Sequence, residues 1–245
     1  MRKWLDRFYQ KNPLYFSLLW IGVYCFANSL ANLISDKIGI DSSATCVVNI
    51  LLSIALLQWI RSNGLMTYFG LCKSAVPASR FLWYLPLVLF ASTNLWLGFD
   101  KNLPLSDMIC YIISMLCVGF LEEVIFRGLL FKVLVKDNVK TAIIISSVTF
   151  GLGHILNLFN GSGMSLVDNL LQVVGAIACG FLFVIIFYRG GSLIPCILAH
   201  GINNALSAFA YEPVMTLQLQ LLLTVCILVI AVTYALILHK TLPKK

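Results

Sequence analysis

Three ionisable side chains, Glu122, Glu123 and Arg127, lie inside the otherwise apolar stretch of residues 118–128. If such a stretch crosses a bilayer, each charged side chain at its centre costs about 2.5 to 3.5 kcal/mol even on the most lenient scale. A cluster of this kind is therefore a candidate for function. Carboxylates can act as general bases, and a guanidinium can neutralise one of them.

Two of the three histidines, His154 and His200, also lie in apolar stretches. At 1.5 Å per residue, the two glutamates and both histidines would lie within a turn or two of the bilayer midplane, so they could meet. Glu123 and Arg127 are four residues apart, so they share a helix face, whereas Glu122 is turned about 100° away. We therefore expect Glu123 to pair with Arg127, and Glu122 to be left free as a base.

His200 and Asn204 are also four residues apart and present an imidazole and an amide from one face, with Asn203 beside it. Phe150 stands one turn before His154. Each residue also has a structural interpretation, because membrane helices use polar side chains to bind one another. For Asn203 and Asn204 taken alone, the structural interpretation is favoured over a functional one. For His154 taken alone, the two interpretations are about equally favoured. For Glu122, Glu123 and Arg127 together, function is favoured, because a structural Glu–Arg ion pair would need only one of the two glutamates.

The composition of the whole chain indicates a polytopic helical membrane protein. Of its 245 residues, 60% are hydrophobic and 11% are charged, and the mean hydropathy is +0.93. The net charge of +7 would suit nucleic acid, but lysines and arginines in short loops between spans follow the positive-inside rule, so no nucleic-acid partner is expected. We expect a single transmembrane domain over residues 1–245.

The apolar stretches predict an all-α protein with about eight transmembrane helices and both termini in the cytoplasm. Stretches of 17 or more residues occupy 14–34, 43–60, 81–99, 107–131, 139–157, 166–188, 192–210 and 215–238. With this orientation the outside loops hold only Lys37 and Lys101. The inside loops collect the other loop cations, which are Arg2, Lys3, Arg7, Lys11, Arg61, Lys73, Arg80, Lys132, Lys136, Lys140, Arg189, Lys240, Lys244 and Lys245.

Other intramembrane hydrolase chemistries lack their motifs. There is no H-E-x-x-H, which a zincin needs for two histidine ligands and a base. Residues 160–163 have asparagine where a rhomboid-type G-x-S-G has its first glycine. The G-x-G of residues 151–153 is followed by His154 rather than by the aspartate of an intramembrane aspartyl protease.

Three motifs together carry a family resemblance. Residues 122–127 match E-E-x-x-x-R, residues 150–154 match F-x-x-x-H, and residues 200–204 match H-x-x-x-N. In this order, and in apolar spans, they resemble the CPBP family of CAAX prenyl endopeptidases and bacteriocin-processing or self-immunity (Abi) proteins. The resemblance covers about residues 80–210, which would form the catalytic core.

The resemblance implies an intramembrane endopeptidase of the cell membrane, open to the cytoplasmic side, that hydrolyses a membrane-associated peptide or protein. Glu122 and His154 would activate a water, and His200 and Asn204 would stabilise the oxyanion. The residues Glu123, Arg127 and Phe150 would support the site.

Metal dependence stays open at this stage. The family is commonly catalogued among metalloendopeptidases, and Glu122, His154 and His200 could hold a divalent ion such as zinc. The same residues also suffice for a glutamate-dependent hydrolase that needs no cofactor, which is the interpretation we favour.

Two other functions remain. A non-catalytic bacteriocin-immunity or membrane chaperone protein could keep the same fold. An ion-coupled or proton-coupled transporter would also hold Glu, His and Arg in its spans, but the chain shows no inverted repeat. Whether a substrate would carry a prenyl group is also open.

Overall fold

The computed structural model describes residues 2–99, 103–159, 164–210 and 216–243. Within these ranges the chain is helical, and its only extended pairing is one antiparallel bridge between Phe99 and Ala210. The predicted all-α class is therefore confirmed.

Ten α-helices follow one another along the described chain. They are α1 (Arg2–Lys11), α2 (Pro13–Ile38), α3 (Ser43–Ser62), α4 (Leu85–Ala91), α5 (Leu105–Glu122), α6 (Lys132–Leu134), α7 (Val139–Gly153), α8 (Leu166–Gly190), α9 (Ile194–Leu206) and α10 (Leu217–Thr241). A π-helix, Glu123–Phe131, joins α5 to α6 without a break. Short 3₁₀ segments occupy Ala78–Tyr84, Thr93–Leu95, His154–Leu158 and Ser207–Phe209.

Six helical segments of the described chain are long and apolar enough to cross a membrane. They are Pro13–Ile38, Ser43–Ser62, Leu105–Leu134, Val139–Leu158, Leu166–Gly190 and Leu217–Thr241. These segments make the protein a multi-pass membrane protein. The expected count of eight long spans is not confirmed, because two of the predicted stretches have a different backbone.

The stretch 81–99 is interrupted, and the stretch 192–210 holds a short helix. Leu82, Trp83 and Tyr84 have φ values of 51°, 49° and 59°, and this left-handed backbone cannot continue a right-handed helix. Helix α9 has 13 residues, which gives a length of about 20 Å against about 30 Å of bilayer hydrocarbon. Apolar composition therefore located these stretches, but it did not predict the break in the first or the short helix in the second.

Loops that the charge pattern places on one side of the membrane meet at one end of the bundle. The connection at residues 61–80 contacts both the end of α8 and the end of α10: the Ser74 hydroxyl donates to Gly190 O at 3.0 Å, and the Arg80 guanidinium donates to Thr241 O. Which end faces the cytoplasm stays a prediction. Lys101, Lys244 and Lys245, which the charge argument uses, lie outside the described residues.

Two glycines allow motif-bearing helices to approach their neighbours closely. A Cβ on Gly119 of α5 would lie 2.5 Å from the Cα of Gly201 on α9, so these two backbones touch. A Cβ on Gly151 of α7 would lie 2.3 Å from the Ile177 side chain on α8. Because real Cβ atoms do not approach other atoms this closely, both positions need glycine. Each glycine is close in sequence to a motif residue: Gly119 is three residues before Glu122, Gly151 follows Phe150, and Gly201 follows His200.

Candidate active site

The helix that carries the two glutamates changes its winding between them. Glu122 is the last residue of α5, and Glu123 is the first residue of the π-helix that runs to Phe131. All nine π-helical residues are buried. Wider helical turns of this type often occur at functional sites.

Glu123 and Arg127 form the ion pair that the spacing predicted. Arg127 Nη1 lies 3.2 Å from Glu123 Oε1, and both side chains have no exposed surface. The guanidinium carbon also lies 3.9 Å from the centroid of the Phe150 ring, an arrangement in which the ring face attracts the cation. The predicted pairing is confirmed, and Phe150 provides a second contact for the same charge.

His200 lies between the two carboxylates. Its Nδ1 is 2.9 Å from Glu123 Oε1, and its Nε2 is 3.6 Å from Glu122 Oε2. The first distance is a hydrogen bond, and the second exceeds the usual range of one. If Nδ1–H donates to the Glu123 carboxylate, Nε2 is the nitrogen left to act on the Glu122 side.

Glu122 has a partner that no motif indicated. The Tyr24 hydroxyl on α2 donates to Glu122 Oε1 at 2.7 Å. The expectation that Glu122 is left free is therefore wrong for this oxygen. Its other oxygen, Oε2, is buried and has no hydrogen-bond partner in the described part of the chain. A tyrosine in an apolar span is too common a feature for the sequence to have marked Tyr24.

His154 lies where α7 tightens into a 3₁₀ turn. Its Nδ1 donates to Phe150 O at 3.2 Å, which leaves Nε2 as the acceptor of a neutral ring. The Phe150 ring centroid lies 5.2 Å from that of His154 and 5.7 Å from that of His200. Phe150 thus packs against both imidazoles, and no direct hydrogen bond joins His154 to Glu122 or His200 in the described ranges.

The backbone of His154 is held from α8. Asn169 is completely buried, and its Nδ2 donates to His154 O at 2.7 Å. The bond satisfies a carbonyl at the helix end, where α-helical partners are lacking. Asn169 therefore fixes the backbone that carries the His154 ring.

The two asparagines of the third motif differ in what they contact. Asn203 Nδ2 donates to Phe90 O at 3.0 Å and to Thr93 Oγ1 at 2.9 Å, so it ties α9 to the end of α4. This confirms an interhelical role for Asn203. The Asn204 side chain makes no hydrogen bond within the described chain, although its backbone oxygen accepts one from Ser207. Its amide therefore differs from that of Asn203, which is held between α9 and the end of α4.

The geometry does not assemble a metal site from the proposed ligands. Across the described residues, no group of three or more His, Cys, Asp or Glu side chains is arranged to hold a metal ion. The set Glu122, His154 and His200 does not fit such an ion here, so we derive no chemical step through a metal.

Comparison with known families identifies the segment that carries the three motifs. Residues 104–206 match the family model described as type II CAAX prenyl endopeptidase Rce1-like. This segment is similar to that family, and we call it the Rce1-like segment. The resemblance to the CPBP family is thereby confirmed, and the matched residues run from the start of α5 to the end of α9. No curated protein and no solved structure matches the chain.

The Rce1-like segment contains both glutamates, Arg127, both imidazoles and Asn204, but it does not contain Tyr24. The hydrogen bond from Tyr24 therefore enters the candidate site from a helix outside the matched residues. The site is also largely buried, with 14% of the Glu122 side chain and 7% of the His200 side chain exposed.

Proposed function

We propose that this protein is an intramembrane endopeptidase that hydrolyses a peptide bond of a membrane-associated peptide or protein. The observation that carries the proposal is the position of His200, whose two ring nitrogens face Glu123 at 2.9 Å and Glu122 at 3.6 Å. Two carboxylates and an imidazole in a site shielded from solvent are suited to moving protons during hydrolysis. The Rce1-like match supports a protease family.

In the proposed reaction Glu122, assisted by His154, removes a proton from a water. The water oxygen then bonds to the carbonyl carbon of the substrate, and the carbonyl oxygen becomes an oxyanion. Asn204 Nδ2 and a protonated His200 donate hydrogen bonds to that oxyanion, since such donors stabilise charge that develops in the transition state. The proton held by Glu122 passes to the leaving nitrogen as the C–N bond breaks.

The supporting residues keep the charges in place. Glu123 neutralises Arg127 and accepts a hydrogen bond from His200 Nδ1–H, which sets the ring orientation. Phe150 packs against the guanidinium and both imidazoles.

We place the enzyme in the cell membrane with its site open to the cytoplasmic side, as the positive-inside pattern predicts.

The test is cleavage by purified protein in liposomes. One probe is a farnesylated peptide that ends in Cys-aliphatic-aliphatic-X. In parallel, membranes of cells that express either the wild type or Glu122→Gln are compared by mass spectrometry of new peptide termini. We expect new termini with the wild type and none with Glu122→Gln, His154→Ala or His200→Ala. Cleavage that persists in Glu122→Gln would overturn the assigned chemistry.

Two further readouts separate the remaining possibilities. If the folded wild type generates no new termini but still protects cells from a bacteriocin, the protein is a non-catalytic immunity protein instead. Chelation of the purified wild type, followed by addition of zinc, tests the cofactor. Activity that is unchanged by a strong chelator supports the metal-independent chemistry, whereas loss and recovery with zinc contradicts it.

A further inference from the structure

Helix α2 lies outside the Rce1-like segment, yet it supplies a hydrogen bond to the candidate base. Tyr24 is near the middle of α2, and its hydroxyl donates to Glu122 Oε1 at 2.7 Å across 98 residues of sequence. The Tyr24 side chain is 9% exposed. Its hydroxyl thus meets the carboxylate away from bulk water, where a hydrogen bond to a charged group is strong.

A chain of buried polar contacts holds α2 in register with the site. The Thr45 hydroxyl on α3 donates to Asn32 Oδ1 on α2 at 2.8 Å, and the Ala44 amide donates to Ser35 Oγ at 3.0 Å. Helix α3 is in turn bound to α5, because Asn49 Nδ2 donates to the Ser114 hydroxyl at 3.0 Å. Tyr24 therefore approaches Glu122 from a braced helix.

The bond to Tyr24 decides which oxygen of Glu122 is available. Oε1 accepts a hydrogen bond from the Tyr24 hydroxyl, while Oε2 faces His200 Nε2 at 3.6 Å and is buried without a hydrogen-bond partner in the described part of the chain. A carboxylate that lost the tyrosine could rotate and close directly onto the imidazole. The Glu122 carboxylate and the His200 imidazole would then bind each other, and neither would be available to substrate or water.

We infer that Tyr24 is a positioning residue for Glu122: its hydroxyl holds one carboxylate oxygen so that the other faces the space beside His200. This inference rests on the proposed function, since it assigns Glu122 the role of base. It adds a residue from outside the three motifs to the working site. Tyr24 acts through Glu122 and does not itself touch the reacting atoms.

A purely structural role for Tyr24 makes a different prediction, and the chain offers a matched control. Tyr234 is also buried, and its hydroxyl donates to Phe81 O at 2.6 Å, between α10 and the 3₁₀ segment before α4. Replacing either tyrosine with phenylalanine removes one buried hydrogen bond. Only Tyr24 contacts a carboxylate of the site.

The experiment compares Tyr24→Phe, Tyr24→Met and Tyr234→Phe in the liposome cleavage assay, using the probe or native peptide that the wild type cleaves. Thermal unfolding is measured on the same preparations. We expect both Tyr24 variants to lower kcat by about ten- to a hundredfold, the worth of one hydrogen bond to a charged group, with KM unchanged. Tyr234→Phe is expected to keep the wild-type kcat even if its melting temperature falls.

The outcomes are distinguishable. Wild-type kinetics in Tyr24→Phe would overturn the role of Tyr24 while leaving the proposed function intact. An equal loss of kcat in Tyr24→Phe and Tyr234→Phe, in step with their melting temperatures, would show that the bond is only structural. Absence of cleavage by the folded wild type would overturn the proposed function and the role of Tyr24 together.

Discussion

Glu123 and His200 are 77 residues apart in sequence, and Glu123 Oε1 lies 2.9 Å from His200 Nδ1 inside the protein. The same oxygen is 3.2 Å from Arg127 Nη1. One carboxylate oxygen therefore joins an intrahelical ion pair to an imidazole from a different helix. The Glu123–Arg127 ion pair and the proposed chemistry of His200 therefore depend on each other.

Removing Glu123 alone is expected to damage both stability and activity. Glu123→Leu leaves the Arg127 charge buried without its carboxylate, which typically costs about 3 to 5 kcal/mol in the free energy of unfolding. It also removes the acceptor of His200 Nδ1. Chemical denaturation in detergent, together with the cleavage assay, checks both effects.

The double variant Glu123→Leu, Arg127→Met separates the two roles. Replacing both members of a buried ion pair with apolar residues is often close to neutral. We expect this variant to recover most of the lost stability while remaining inactive, because His200 still lacks its carboxylate. A double variant that is no more stable than Glu123→Leu would contradict the role of Glu123 as the partner of Arg127.

The contact between α5 and α9 predicts a strong effect of a single methyl group. In Gly119→Ala the new Cβ would lie 2.5 Å from the Gly201 Cα, so the helices must separate. Overpacking of this kind costs about 1 to 3 kcal/mol. The substitution also moves His200 away from the glutamates. We therefore expect the cleavage rate of the folded variant to fall at least as many fold as its equilibrium constant for unfolding rises.

Gly22→Ala is the matched control for this prediction. Gly22 is inside α2, and a Cβ there meets nothing within 4 Å. Alanine favours a helix over glycine by about 0.5 to 1 kcal/mol, so this variant should be at least as stable as the wild type and fully active. Equal activity of the two alanine variants would show that the close approach at Gly119 is not required.

Neighbouring asparagines on α9 are expected to give opposite results. Asn204→Ala should lower kcat by about 10²- to 10³-fold, the usual effect of losing an oxyanion donor, with little change in melting temperature. Asn203→Ala should lower the melting temperature, because Phe90 O and Thr93 Oγ1 each lose the hydrogen bond from Asn203, although Phe90 O still accepts one from the Thr93 hydroxyl. Kinetics and thermal unfolding of both variants provide the check, and the reverse pattern would exchange the two assignments.

The hydrogen bond from Asn169 to the backbone of His154 leads to a fourth prediction. Asn169→Leu keeps similar volume but leaves the His154 carbonyl without its donor, at a cost of about 1 to 3 kcal/mol. We expect kcat to fall about tenfold as the His154 backbone shifts, since that fall corresponds to 1.4 kcal/mol. The measurement is the cleavage rate at saturating substrate.

Asn157→Ala controls for general loosening between α7 and α8. Asn157 lies in the same 3₁₀ segment as His154, and its Nδ2 donates to Gln172 Oε1 on α8 at 2.9 Å, so its side chain links this segment to α8 through a different hydrogen bond. A similar loss of kcat in both variants would indicate that helix packing, rather than the His154 backbone, is what Asn169 maintains.

Features within one helix could be predicted from the sequence of this protein. Residues four apart share a face at 3.6 residues per turn, so the spacing predicted the Glu123–Arg127 pair, and the pair forms even though this segment is wound as a π-helix. The apolar composition predicted a helical membrane protein, and three ordered motifs predicted the family that residues 104–206 match. None of these inferences needs knowledge of how helices pack.

Relations between helices came only from the folded chain. The contact of Tyr24 with Glu122, the bridging position of His200 and the touching backbones at Gly119 and Gly201 depend on the register of separate helices. Sequence spacing predicts only a similar depth for the glutamates and histidines, because the faces that separate helices present to each other are set by side-chain packing over the whole bundle. The shortness of α9 has a similar origin, since an apolar stretch shows which residues avoid water but not where their backbone bends.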